Sequence, residues 1–267
     1  MPEMSLQRRL LGRSGIDVSI LGLGTVKLGR NQGVKYPASF TLPDDRAARE
    51  LLTEARHLGI NLIDTAPAYG NSEERLGTLL KGERSDWVIA SKVGEEFEAG
   101  ESHFDFSPEH TRLSVERSLR RLATDYLDIV LVHSDGNDEH IIRDLGTLEA
   151  LANLKQAGKI RAFGMSTKTV EGGLLAARHC DCLMVTWNLG HREETPVIDQ
   201  CHRHGAGVLI KKVLDSGHMA EQQGSVADAF AELFRHPGVS SAIVGTINPE
   251  HLRSNVRAAI AATRKPG

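Results

Sequence analysis

Apolar residues along this chain fall into two alternating rhythms, one of short unbroken runs and one spaced for helices. The runs lie at 20–23, 61–64, 87–92, 127–133, 160–165, 183–187, 208–212 and 242–244, and each has the length of a buried strand. Between them apolar residues recur three and four apart, as on a helix with one face against a core. Val115, Leu119 and Leu122 follow Ser107-Pro108, where serine caps the first turn and proline fits inside it. Leu148, Leu151 and Leu154 form a second stripe that stops at Gly158, a C-terminal cap. Leu252, Val256 and Ile260 form a third behind Asn248-Pro249.

Strands that alternate with helices pair in parallel, and eight of them are enough to close on themselves. The expected fold class is therefore α/β, a (β/α)8 TIM barrel with each helical stripe packed on the wall. Segments 8–11 and 16–19, joined around Gly12-Arg13-Ser14-Gly15, read as a β-hairpin that closes the barrel floor. With no linker or composition break, one domain over 1–267 is expected. Gly22-x-Gly24 followed by Gly29 does not have the G-x-G-x-x-G spacing of a Rossmann fingerprint.

Composition narrows the function. The chain is 40% hydrophobic and 25% charged, with a formal net charge of −3, so it has no basic field for nucleic acid. No apolar run approaches the roughly 18 residues that a membrane span needs. The first ten residues lack an apolar core behind Arg8 and Arg9, which leads us to expect a cytoplasmic protein. Cys180, Cys182 and Cys201 are expected to be buried, reduced thiols, since Cys180-x-Cys182 has no second pair to complete a metal site. No metal is expected, and the partners should be small molecules.

In such a barrel the chemistry sits where the strands end. Asp64, Lys92 and His133 each fall at a strand end, and Tyr69 lies in the loop just beyond Asp64. The segments that carry them, NLIDTAPAYG at 61–70, IASKVG around Lys92 and LVHSDG around His133, resemble the aldo-keto reductase superfamily. So do ILGLGT near residue 20, GKIRAFGMS at 158–166 and IVGTINPEHLRSNV at 243–256, in the same order along nearly the whole chain. The resemblance implies reduction of an aldehyde or ketone by hydride from a nicotinamide, with the four residues as a catalytic tetrad. Elementary chemistry agrees with those roles. A phenol of pKa about 10 is a stable acid for the nascent alkoxide, so Tyr69 is the expected proton donor. The Lys92 ammonium is expected to lower its pKa, with Asp64 keeping the lysine charged and aimed. A neutral His133 is expected to donate a hydrogen bond to the substrate oxygen.

The same resemblance implies a cofactor site for NADPH, with NADH as the alternative. Its residues would be Gly24 and Thr25 in the first motif, Ser166 at the carboxamide, and Thr167 where the family has asparagine. Met184 stands where it has glutamine, in a segment that continues to Asn188. Lys211, Lys212 and Leu214 occupy the end of strand seven, where the family places an aromatic residue. The lysines could serve the cofactor, an acidic substrate or merely a solvated strand end. Gly245, Thr246 and His251 stand at the 2′-phosphate end, and Asn255 matches the adenine contact. Tyr36, Phe104 and Trp187 are candidate substrate walls. A short connection after strand seven and little chain beyond 258–262 suggest an open mouth on a monomer. Two other classes are weighed: a cofactor-binding regulatory barrel with little turnover, and a metal-assisted hydrolase, for which no two-histidine motif exists.

Overall fold

The computed structural model describes residues 6–34, 36, 39–215 and 225–264. Eight parallel strands close into a barrel: β3 (Leu21–Gly24), β4 (Leu62–Asp64), β5 (Val88–Val93), β8 (Leu127–His133), β9 (Ile160–Ser166), β10 (Cys182–Thr186), β11 (Gly207–Lys211) and β12 (Val239–Val244). β12 returns to pair with β3, Ala242 opposite Leu21 and Val244 opposite Leu23, so the sheet has no free edge. The eight expected strands are all present. β12 begins three residues before its expected start because Val239 and two buried serines, Ser240 and Ser241, extend the strand without an apolar run.

Helices follow the strands and cover the wall: α1 (Val26–Gly29), α2 (Asp45–His57), α3 (Ser72–Leu79), α4 (Pro108–Arg121), α5 (Asp138–Asp144), α6 (Thr147–Gln156), α7 (Val170–Ala176), α8 (Thr195–His204), α9 (Val226–Arg235) and α10 (Pro249–Thr263). The anticipated caps hold. Ser107 accepts from the His110 N–H at the start of α4, and Asn248 accepts from Glu250 at the start of α10. Gly158 follows α6 with φ +74°, a conformation that suits glycine. Leu119, Leu151 and Ile260 turn inward to one core shared with the outward faces of the strands.

A second core fills the barrel interior. Leu62, Val88, Ile129, Leu131, Met184 and Leu209 meet there with Leu11, Ile16 and Val18 from the N-terminal hairpin. That hairpin, β1 (Arg8–Leu10) with β2 (Asp17–Ser19), closes the floor as expected, with Arg13 N–H donating to Gly205 O just ahead of β11. Full burial of a leucine such as Leu11 contributes roughly 1.5–3 kcal/mol.

An antiparallel hairpin, β6 (Glu95–Glu98) with β7 (Glu101–Phe104), stands between β5 and α4 and was not anticipated from the pattern. Its strands carry few buried apolar residues, so the alternation that marks a half-buried strand is missing. Residues 216–224 of the connection after β11, whose brevity was expected to leave the mouth open, lie outside the described residues. Among the described residues no helix is long and apolar enough to cross a membrane. The three cysteines are buried and unpaired, and burial pushes their thiols up, Cys201 to about 12.

Candidate active site

Parallel strands all end at one mouth, and their final residues build the site. Asp64 closes β4, His133 closes β8, Ser166 closes β9, Lys211 closes β11, and Lys92 lies one residue before the end of β5. The register sets His133 beside Ser166 across neighbouring strands. Tyr69 enters from the loop after β4, where its N–H donates to Ala66 O at 3.0 Å. That loop presses on α1. A Cβ at Gly29 would stand 2.2 Å from Tyr69 O, and one at Gly70, whose φ is +62°, 2.2 Å from Gly29 O. The close backbone approach that seats Tyr69 therefore needs both glycines, which explains Gly29 without a nucleotide fingerprint.

Lys92 is 2% exposed, and its Nζ donates to Asp64 Oδ1 at 2.5 Å and to Thr65 O at 2.8 Å. The same Nζ stands 4.7 Å from the centre of the Tyr69 ring. The His133 ring meets Tyr69 edge-on, with centroids 6.3 Å apart. All four residues line one cavity of about 1210 Å³ at the mouth. Its volume exceeds the roughly 300–1000 Å³ of a site for one small ligand.

The electrostatics differ from expectation at Tyr69. Burial pushes its phenol well above the ordinary range, the Asp64 carboxylate adds to this, and Arg30 opposes it. The net direction is therefore upward, not the lowering expected beside Lys92. A phenol in this setting stays protonated at neutral pH and can act as a donor. Burial also lowers the His133 imidazole, against the raising influence of Glu95, whose Oε2 stands 2.7 Å from Nδ1.

Most of the expected cofactor residues share the cavity. Gly24, Gly245 and Thr246 line it at the ends of β3 and β12, with His251 and Asn255 of α10 beyond them. Ser166, Thr167, Met184, Lys211, Lys212 and Leu214 line it as well. Lys211 turns inward, donating to Ser166 Oγ and Thr167 O at 2.9 Å each, so the solvated reading is corrected for this lysine. Burial lowers it to about 8, with Glu194 opposing. Asn188 is engaged in its own loop, donating to Lys212 O at 3.2 Å and accepting from Gly190 N–H.

Three expectations are corrected by position. Thr25 is fully buried and does not line the cavity; its hydroxyl donates to Asp64 O at 2.9 Å and accepts from Ser72. Trp187 is packed into the core with 5% exposure, and Phe104 stacks on Phe106 outside the cavity. Only Tyr36 of the proposed walls lines it, with Lys27 Nζ 4.0 Å over its ring. Sequence reading missed Lys27, Glu194 and Glu95. No periodic signal marks them, since Lys27 sits in a single helical turn and the other two in a loop and a hairpin beyond strand ends.

Comparison with known proteins agrees with this geometry. The model of the Aldo/keto reductase family matches residues 20–233. A solved structure from Pseudomonas aeruginosa, assigned to the aldo-keto reductases, superposes with TM-score 0.89 at 56% identity, covering 97% of this chain and 97% of that one. Aldo-keto reductase AKR11C1 from Bacillus halodurans, in its holo form, gives TM-score 0.78 at 26% identity, covering 98% and 92%. Among curated proteins, the NADH-specific methylglyoxal reductase of Escherichia coli is 32% identical over 78% of this chain and 67% of its own length. The L-galactose dehydrogenase of Arabidopsis thaliana is 40% identical over 60% of this chain and 48% of its own length. With the family's motifs carried on a closed eight-stranded barrel and their polar residues gathered at one mouth, the chain belongs to the aldo/keto reductase family.

Proposed function

We propose that this oxidoreductase transfers hydride between a nicotinamide and the carbonyl carbon of a small aldehyde or ketone, with Tyr69 as general acid. The observation that carries the reading is the convergence of Tyr69, Lys92, Asp64 and His133 on one large cavity that the strand-end residues Ser166 and Lys211 also line. Tyr69, held protonated by burial, gives its proton to the oxygen as the alcohol forms. Lys92 places a positive charge against the tyrosine ring to offset the charge left behind, and Asp64 fixes that ammonium in position. His133, whose ring meets that of Tyr69 edge-on, faces the same substrate oxygen.

The residues present fit a dinucleotide. Thr167 Oγ1 and Glu194 Oε2 are buried without hydrogen-bond partners, which is costly unless a ligand satisfies them. With Lys211 and Ser166 they would hold the nicotinamide end, beside Met184 and Leu214. Gly24 would receive the central part and Lys212 the rim, while Gly245, Thr246, His251 and Asn255 would hold the adenosine end at the N-terminus of α10. When bound, the nicotinamide supplies the hydride. We assign NADPH as cofactor, with NADH as the alternative.

Fluorescence titration of the purified protein with each nucleotide, followed by a panel of small aldehydes and ketones, tests the reading. Tyr69→Phe should keep nucleotide affinity and lose roughly 10²- to 10⁴-fold in kcat. Binding of neither nucleotide would overturn the proposal, and binding without turnover would point to a regulatory barrel.

A further inference from the structure

Glu95 lies three residues beyond Lys92, at the start of the β6–β7 hairpin, and its 13% exposed carboxylate meets the 21% exposed ring of His133. The contact is made at Nδ1, 2.7 Å from Oε2. Its other oxygen accepts from Ser102 Oγ on the facing strand at 2.6 Å. Burial would raise Glu95, but the His133 ring beside it, then Ser102 and Arg30, outweigh this and bring it to about 2, so the carboxylate is ionised at neutral pH.

The Nδ1–Oε2 line stands off the ring N–H axis, and Nδ1 makes no aligned hydrogen bond. Even so, a carboxylate charge 2.7 Å away favours the positive N–H over a lone pair on the nearest ring nitrogen, so the proton of a neutral ring belongs on Nδ1. Nε2 makes no hydrogen bond among the described residues, and the ring lines the catalytic cavity. A neutral imidazole protonated on Nδ1 has only a lone pair at Nε2. A carbonyl oxygen also has only lone pairs, whereas an alcohol hydroxyl has a proton to give.

We propose that Glu95 is a positioning residue that acts through His133, holding the imidazole proton on Nδ1 so that the neutral ring accepts an alcohol hydroxyl at Nε2 and only the imidazolium donates to a carbonyl. The inference rests on the hydride-transfer reading above and adds to it which side of the reaction the site favours as pH changes. The charged and titratable groups that face the ring are Glu95 from β6, Lys92 from β5, Lys211 from β11 and Tyr69 from the loop after β4. Burial and the two lysines favour the neutral ring, and Glu95 alone favours the cation. Arg30, after α1, faces the carboxylate rather than the ring.

The experiment is nitrogen NMR of the whole protein labelled at histidine, with the His133 signal assigned by its loss in His133→Asn. Above its titration the wild-type ring should carry its proton on Nδ1. In Glu95→Gln the ring should titrate roughly 1 to 3 pH units lower, the effect of removing a neighbouring opposite charge. The fall of carbonyl kcat/KM with rising pH should move down by the same amount, while alcohol turnover persists. A wild-type ring protonated on Nε2 would overturn the proposal, as would a variant that titrates where the wild type does. The wild-type tautomer decides the matter even where Glu95→Gln fails to fold. Because it is read without turnover, its failure is distinct from failure of the hydride-transfer reading, which Tyr69→Phe reports.

Discussion

Two lysines end barrel strands in this cavity, and their surroundings set them to different tasks. Lys92 is locked by a carboxylate 2.5 Å away, so its charge is compensated where it stands. Among the described residues Lys211 has only a hydroxyl and a carbonyl as hydrogen-bond partners, and burial brings it from an ordinary 10.5 to about 8. Below pH 8 the lysine is charged in both folded and unfolded chains, and the fold bears the cost of burying it. Between about 8 and 10.5 the unfolded chain holds the extra proton, so stability rises with pH through that window. The gain is at most roughly 3 kcal/mol, less whatever water in the cavity screens. Lys211→Met should lack this rise. Urea midpoints of both proteins at pH 7.0 and pH 10 (about 1 unit below and 2 above the lysine's titration) would show wild type gaining on the variant, and parallel curves would refute the argument. The place of Asp64, Lys92 and His133 at the mouth was legible at this scale because a strand-end position in a barrel implies it, and Tyr69 follows in the next loop. Glu95 was not, since its nearness to His133 depends on where a polar hairpin turns.

The element that carries Glu95 hinges on Gly94. Its φ is +101°, and a Cβ there would lie 2.3 Å from Cε1 of Phe106. Gly94→Ala should cost about 1–3 kcal/mol in backbone strain, measured by thermal or urea unfolding. It should also move the His133 titration in the direction of Glu95→Gln, since the hairpin pivots away. An unchanged unfolding midpoint would show that the segment relaxes freely. The helices at this scale were easier to read. Ser107-Pro108 and Asn248-Pro249 declare helix starts locally, through caps that need no tertiary partner. The short helix α5 and the β6–β7 hairpin declare nothing comparable: Asn137 makes no side-chain cap, and α5 is tied down instead by Asp138, which accepts from the Lys168 and Thr169 N–H groups of the next connection.

For the whole molecule, the two ends of the barrel do separate work. Leu11 of the floor hairpin is fully buried against interior residues, while the large cavity opens at the mouth where the strands end. Leu11→Ala should destabilise the protein by about 2–5 kcal/mol through lost burial and a cavity, yet leave kcat near the wild-type value under native conditions. Paired measurement of the urea midpoint and steady-state turnover checks this, and a loss of kcat without loss of stability would show that floor and mouth are coupled. Closure of β12 on β3 is what makes the interior a packed core and confines the large cavity to one end.

Sequence alone determined the alternation of strands and helices, the floor hairpin and the strand-end positions of Asp64, Lys92 and His133, because periodicity, caps and turns act over a few residues. Most of the residues it named for a cofactor line one cavity, since consecutive strand ends in a parallel barrel face the same way. Tertiary structure decided the rest. Thr25 turned out to brace Asp64, Trp187 went into the core, Lys211 went inward to bridge β9 and β11, and Glu95 came to His133. Each of these depends on which groups meet across strands or hairpins far apart in the chain, and on burial, which sets their charge only after the barrel has closed.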